Sequence, residues 1–114
     1  MTTEWDKLPD NVKKFMTAID ARQRAQALAV FTAGAVVTDE GHDHSGRDEI
    51  GAWLTDSVTE SEYTYTSEFA GATTTGTTAD VQRHLEGDFP GGVADLHYRF
   101  TLDGALISRL VIEP

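Results

Sequence analysis

The chain has 114 residues, of which 39% are hydrophobic and 25% charged, ordinary values for a globular protein with one modest core. Nineteen acidic against nine basic residues give a net charge of −10. That excludes nucleic acid or an anionic membrane surface as a partner, because phosphate binding needs clustered Lys and Arg. With no cysteine, disulfides, thiolate zinc sites and cysteine nucleophiles are excluded as well.

In chain order, Leu8, Val12, Phe15, Met16 and Ile19 recur at the spacing of one helical face, and Pro9 suits a first turn, where its missing N–H costs nothing. Asp20 followed by Gln23 has the form of a capping box and predicts a second helix carrying Ala25, Leu28, Ala29 and Phe31, stopped at Gly34. Ala35–Asp39 reads as a short strand centred on Val36 and Val37. Gly41–Gly46 reads as a polar link. Ser45 with Asp48 marks a third helix start, whose buried stripe is Ile50, Trp53, Leu54 and Val58.

After Glu60 the period changes to two. Tyr63, Tyr65 and Phe69 alternate with polar residues in a half-buried strand, and the Gly- and Thr-rich stretch 70–78 reads as a turn with ragged strand ends. Asp80–Asp88 is a second strand, broken by Phe89-Pro90-Gly91-Gly92. Leu96, Tyr98, Phe100 and Leu102 alternate with Asp95, His97, Arg99 and Thr101, so the first set faces the helices and the second faces away. Asp103-Gly104 is the expected hairpin turn before a last strand, Ala105–Ile112. Helices followed by antiparallel strands predict an α+β layer with the helices on one face. One domain is expected over residues 1–114, with residues 1–7 flexible. No segment is long and apolar enough to cross a membrane, and MTTEWDKLPDN has no signal-peptide character, so a cytoplasmic protein is expected.

Phe31–Asp39 (FTAGAVVTD), Gly46-Arg47-x-x-Ile50-x-x-Trp53, Gly87-Asp88-Phe89-Pro90-Gly91 and Tyr98-Arg99-Phe100-x-Leu102-x-Gly104 carry a resemblance to the NTF2-like superfamily, and within it to the SnoaL-like group. With Ile107, Leu110 and Ile112 it spans Leu8 to Pro114. The resemblance implies an NTF2-like, cystatin-like cone: three N-terminal helices on the concave face of a strongly curved, mostly antiparallel sheet. It also implies an apolar pocket and a homodimer formed through the sheet's outer face. It does not fix an activity, because this scaffold hosts isomerases, cyclases, dehydratases and non-catalytic binding domains.

Asp39 is the foremost candidate for chemistry. It ends the first strand and matches the position of the general-base aspartate in ketosteroid isomerases, where apolar walls would raise its pKa. The isomerases' tyrosine donor matches Phe15, which has no hydroxyl, and this argues against ketosteroid isomerase activity itself. His42 and His44 share a side of an extended segment and with Asp39 or Asp43 would make a two-histidine, one-carboxylate set. No third ligand has a diagnostic spacing, and a polar loop without metal is the preferred reading. His44 is kept as a catalytic assistant to Asp39. Arg83 shares a face with Val81 and Leu85, so it either pairs with Asp39, binds a ligand carboxylate, or is re-aimed to solvent by a bulge. Phe15, Trp53, Tyr65, Arg83 and Tyr98 are the candidate pocket residues, the aromatic ones serving as core or as pocket wall. No serine triad, P-loop or dinucleotide fingerprint is present.

The resulting expectation is a cofactor-free domain that binds a small apolar molecule. It would act, if at all, as an isomerase, cyclase or dehydratase by proton transfer. The alternative is a non-catalytic binding or dimerisation module.

Overall fold

The computed structural model describes residues 4–55 and 65–114. Val58 and Tyr63, assigned above to a helix stripe and a strand, lie outside them. A 3₁₀ turn, Trp5–Lys7, leads into α1 (Asp10–Asp20) and α2 (Arg24–Leu28). Strands β1 (Phe31–Asp39) and β2 (His42–Ser45) precede α3 (Gly46–Trp53), and β3 (Tyr65–Thr75), β4 (Thr78–Gly87), β5 (Val93–Asp103) and β6 (Leu106–Glu113) follow. The six strands form one sheet in the order β2-β1-β6-β5-β4-β3. Every pairing is antiparallel except β1 with β6, which is parallel. Among the described residues, no helix is long and apolar enough to cross a membrane.

Helix α1 buries Val12, Phe15, Met16 and Ile19, the stripe expected from a period of 3.6. Phe15 is fully buried and meets Phe31 of β1 and Phe100 of β5 edge-on, with ring centroids 5.5 and 5.6 Å away. These contacts seat α1 on the sheet face that carries Val37, Leu110, Phe100 and Ala79, all buried and all in one cross-strand row. Arg24 of α2 donates to the carbonyl of Gly51 in α3 at 2.9 Å. A Cβ at Gly51 would stand 2.6 Å from that guanidinium, so a larger residue there would displace the Arg24 side chain.

Several boundaries differ from the sequence reading. Phe31 starts β1 rather than closing α2, and the strand absorbs Gly34. Between Phe31 and Val36 the register with β6 slips, five steps along β1 being set against the two from Ile107 to Arg109, a bulge that the Arg109 guanidinium ties down by donating to the Val36 carbonyl and the Thr38 hydroxyl. Asp20 caps nothing; it is the last residue of α1, and no side-chain cap bond holds Gln23 at the start of α2. The link Gly41–Gly46 is largely strand β2, joined to β1 through Glu40-Gly41, both at positive φ as a type I′ turn requires. At the start of α3 the Ser45 amide is satisfied by Glu49 at 3.1 Å, not by Asp48. Strand β3 runs on to Thr75, with a bulge between Phe69 and Gly71, so 70–75 is strand and not turn. The last hairpin turns on Gly104-Ala105, since Asp103 already pairs with Leu106, and Gly104 supplies the positive φ. Trp5, expected in a flexible leader, packs edge-on against Phe69 at 5.6 Å.

The opposite face carries the polar set. His97 Nδ1 lies 3.0 Å from Asp80, Arg99 bridges Asp80 and Glu113, and His84 sits between Asp95 and Glu86. The hydrogen bond to Asp95, and then that to Glu86, raise the His84 pKa above its ordinary 6.5, against a smaller opposing effect of desolvation.

Two outcomes are expected. Phe15→Ala should lower stability by about 3–5 kcal/mol, the usual cost of emptying a fully buried phenylalanine site, read as a lower urea midpoint with an unchanged slope. Because the folded pKa of His84 is raised, the stabilisation from its carboxylate partners is fully present below pH 6.5 and is lost as pH rises through the raised value. Asp95→Asn should bring the His84 titration, followed by imidazole NMR, back towards the ordinary value, and its destabilisation should fade with rising pH.

Candidate active site

Strand alternation brings the site together. Asp39 shares the inward face of β1 with Ala35 and Val37, both fully buried, and lies at the strand's end, where burial gives way to partial exposure. Its Oδ2 accepts a 3.0 Å hydrogen bond from the indole Nε1 of Trp53, the last residue of α3. The Trp53 ring is itself buried, so the carboxylate is anchored to a group that cannot readily move. Pairing of β2 with β1 sets His44 opposite Val37 and His42 opposite Asp39, and the His44 ring lies 6.0 Å from the Trp53 ring. Asp39, His44 and Trp53 therefore form one cluster. Asp43 is not in it: register places Asp43 opposite Thr38 on the other face, where it accepts a 2.6 Å bond from the Thr38 hydroxyl. Among the described residues no group of three or more His, Asp or Glu side chains is arranged to hold a metal ion.

Register carries the site across the sheet. Asp39 pairs with Ile112, Ile112 with Tyr98, and Tyr98 with Val81, so one row crosses β1, β6, β5 and β4 on the inward face. Burial, above all, pushes the Tyr98 phenol up to about 12. The Arg83 cation pulls the other way, while Tyr65, Asp39 and Asp20 reinforce the rise. Tyr98 is thus a neutral O–H donor across the whole physiological range.

In the next row Arg83 pairs with Leu96 and Phe69. Its guanidinium is 6% exposed and lies 5.8 Å from the centre of the Tyr98 ring. The partner is not Asp39. Arg83 donates to Asp20 at 2.5 Å and to the Ser67 hydroxyl, which in turn donates to Asp20 at 3.1 Å. Solvation of Arg83 by a bulge is likewise overturned: the β3 bulge lies next to its cross-strand partner Phe69, yet the guanidinium stays inside. Tyr65 is half-buried and lines a cavity of about 310 Å³ with Ile19, Asp20, Arg22, Thr66 and Ser67. Phe15 fills the core between Phe31 and Phe100.

Asp20 and Ser67 were missed by the sequence reading. No local pattern marked Asp20: it is an exposed residue at the end of α1, four positions after Met16, and the cation it meets is 63 positions away.

No family model matches the sequence, and no curated protein does. Among solved structures, a candidate polyketide cyclase from Sinorhizobium meliloti superposes with a TM-score of 0.87 at 31% identity, over 97% of this chain and 100% of that one. The chain belongs to the family of that candidate polyketide cyclase, and its fold is NTF2-like. The Δ5-3-ketosteroid isomerase of a Mycobacterium species (TM-score 0.73, 15% identity, 91% of this chain and 89% of that one) shares the NTF2-like fold. So does an NTF2-like protein from Cytophaga hutchinsonii (TM-score 0.72, 10% identity, 91% and 86%).

Proposed function

We propose that this NTF2-like protein binds a small, largely apolar carbonyl compound on the inward face of its sheet and moves a carbon-bound proton, without a cofactor. Asp39 is the base and Tyr98 the hydrogen-bond donor. One observation carries the reading: Asp39 and Tyr98 flank Ile112 in a single cross-strand row. Two strand spacings separate their Cα atoms by about 10 Å, so both side chains can reach one molecule lying over Ile112. The likeness to a candidate polyketide cyclase supports chemistry of this kind.

In the proposed step the Asp39 carboxylate takes a proton from the carbon next to the carbonyl. The electron pair left behind delocalises onto the carbonyl oxygen, and the Tyr98 O–H donates a hydrogen bond to that oxygen. A phenol with a pKa of about 12 keeps its proton, so it stabilises the enolate without being consumed. The proton then returns to a different carbon in an isomerisation, or the enolate carbon attacks a second carbonyl in a cyclisation, whose C=O opens to an alkoxide that takes the proton back from Asp39. Trp53 fixes the carboxylate, and His44, its ring tilted against the indole at 6.0 Å, is a positioning residue. This supplies the donor that Phe15 does not.

The same reading has the sheet curve around this face, with the three helices on the concave side enclosing an apolar hollow, and copies of the chain pairing through the polar outer face. Sedimentation velocity should then give the mass of a dimer, and a monomer at all concentrations would remove that part.

The chemistry is tested by deuterium incorporation from D₂O into an apolar ketone such as 2-tetralone, followed by NMR. Asp39→Asn should slow protein-catalysed exchange by about 10²–10⁴-fold, and Tyr98→Phe by about 10²–10³-fold. Exchange by Asp39→Asn at the wild-type rate overturns the mechanism. A wild-type protein that binds the ketone and exchanges nothing assigns the domain to ligand binding alone.

A further inference from the structure

Arg83 is the only buried charged side chain among the described residues, and the proton-transfer step makes no use of it. It stands at the polar end of a cavity of about 300 Å³, a size that accepts a small aromatic or short acyl molecule. The walls of that cavity are apolar: Met16 of α1, Val81 of β4, and the edge-packed pair Trp5 and Phe69. Asp20 and Ser67 close it beside Arg83 and also line the neighbouring cavity of about 310 Å³. They are the partition between the two.

The two members of the Arg83–Asp20 pair are held very differently. Arg83 is 6% exposed, with its guanidinium against the Tyr98 ring, whereas the Asp20 side chain is 48% exposed. Asp20 is also the last residue of α1, where the negative end of the helix dipole disfavours a carboxylate. Arg83 therefore stays and Asp20 can leave. Turning outward, Asp20 meets water and the side of the cavity lined by Arg22. Among the described residues the charged groups lining the two cavities are Arg83, Arg22 and Asp20.

We propose that this cluster is a carboxylate-binding site in which Asp20 holds the place of the ligand. A small apolar monocarboxylate enters with its ring or chain against Met16, Val81, Trp5 and Phe69. Its carboxylate replaces the single Asp20 oxygen now on Arg83 and adds the second, planar contact that a guanidinium favours, and Asp20 swings out. No step involves Asp39, so the site stands or falls independently of the proton-transfer reading.

Benzoate, with methyl benzoate as its uncharged counterpart, is the probe, and calorimetric titration of the full chain is the measurement. The wild type should bind benzoate saturably and methyl benzoate at least tenfold more weakly, the loss expected when the charged half of the pair is removed. Asp20→Asn removes the competing carboxylate, so benzoate affinity should rise by about threefold or more, because a larger fraction of the protein is competent to bind. Arg83→Met should abolish binding, and Arg83→Lys, which keeps the charge without the planar fork, should fall between. Because Asp20 is half-exposed, its variant tests the idea even if the Arg83 variants fail to fold. Unchanged or weaker benzoate binding by Asp20→Asn overturns the proposal, as does equal affinity for the ester.

Discussion

The parallel pairing of β1 with β6 is the constraint on which the site depends. An antiparallel meander of β3 to β6 would place Tyr98 and Arg83 on its inward face without any carboxylate beside them. Docking β1 against β6 in the parallel sense carries Asp39 alongside Ile112 and so into the row of Tyr98. Because side chains alternate strictly, a slip of one residue in this pairing would turn Asp39 to the outer face. The register is held on both sides of the β1 bulge: the Ile107 amide donates to the Val30 carbonyl at 2.8 Å, and Arg109 binds the Val36 carbonyl. An arginine on the outer face thus determines where a carboxylate sits on the inner one.

Two polar arrangements share the inward face and differ in physical character. Asp39 is tied to a buried indole and has partial access to water, so it is a fixed, ionisable group. Arg83 is deeply buried beside a half-exposed partner on another element. Burying the guanidinium carries a desolvation cost that its half-exposed carboxylate partner offsets only in part, and losing that partner leaves an uncompensated buried charge. Such a pair is costly to retain for stability alone, which is consistent with a role in recognition.

Much of this was legible beforehand. Period-two alternation correctly divided Tyr98 and Phe100 from Asp95, His97 and Arg99, because a half-buried strand has no other way to place them. The stripe of α1 was equally plain. What failed was local propensity set against pairing. Ala25, Leu28, Ala29 and Phe31 have helical spacing, but Phe31 pairs with Ile107 and is held in the sheet by a partner 76 positions away (107 − 31). His42–Ser45 has no apolar residue, and its strand character comes wholly from β1. Asp20 and Arg83 are 63 positions apart, so no local pattern could join them.

The sheet has two edges, and each is unsuited to recruiting another strand. One is β2, four residues long and carrying two histidines and an aspartate. The other is β3, interrupted by a bulge at Phe69–Gly71 and ending in a run of threonines. Short length, ionisable side chains and a local twist all discourage strand-by-strand growth from an open rim. An open six-stranded sheet with such borders resists growth by strand addition.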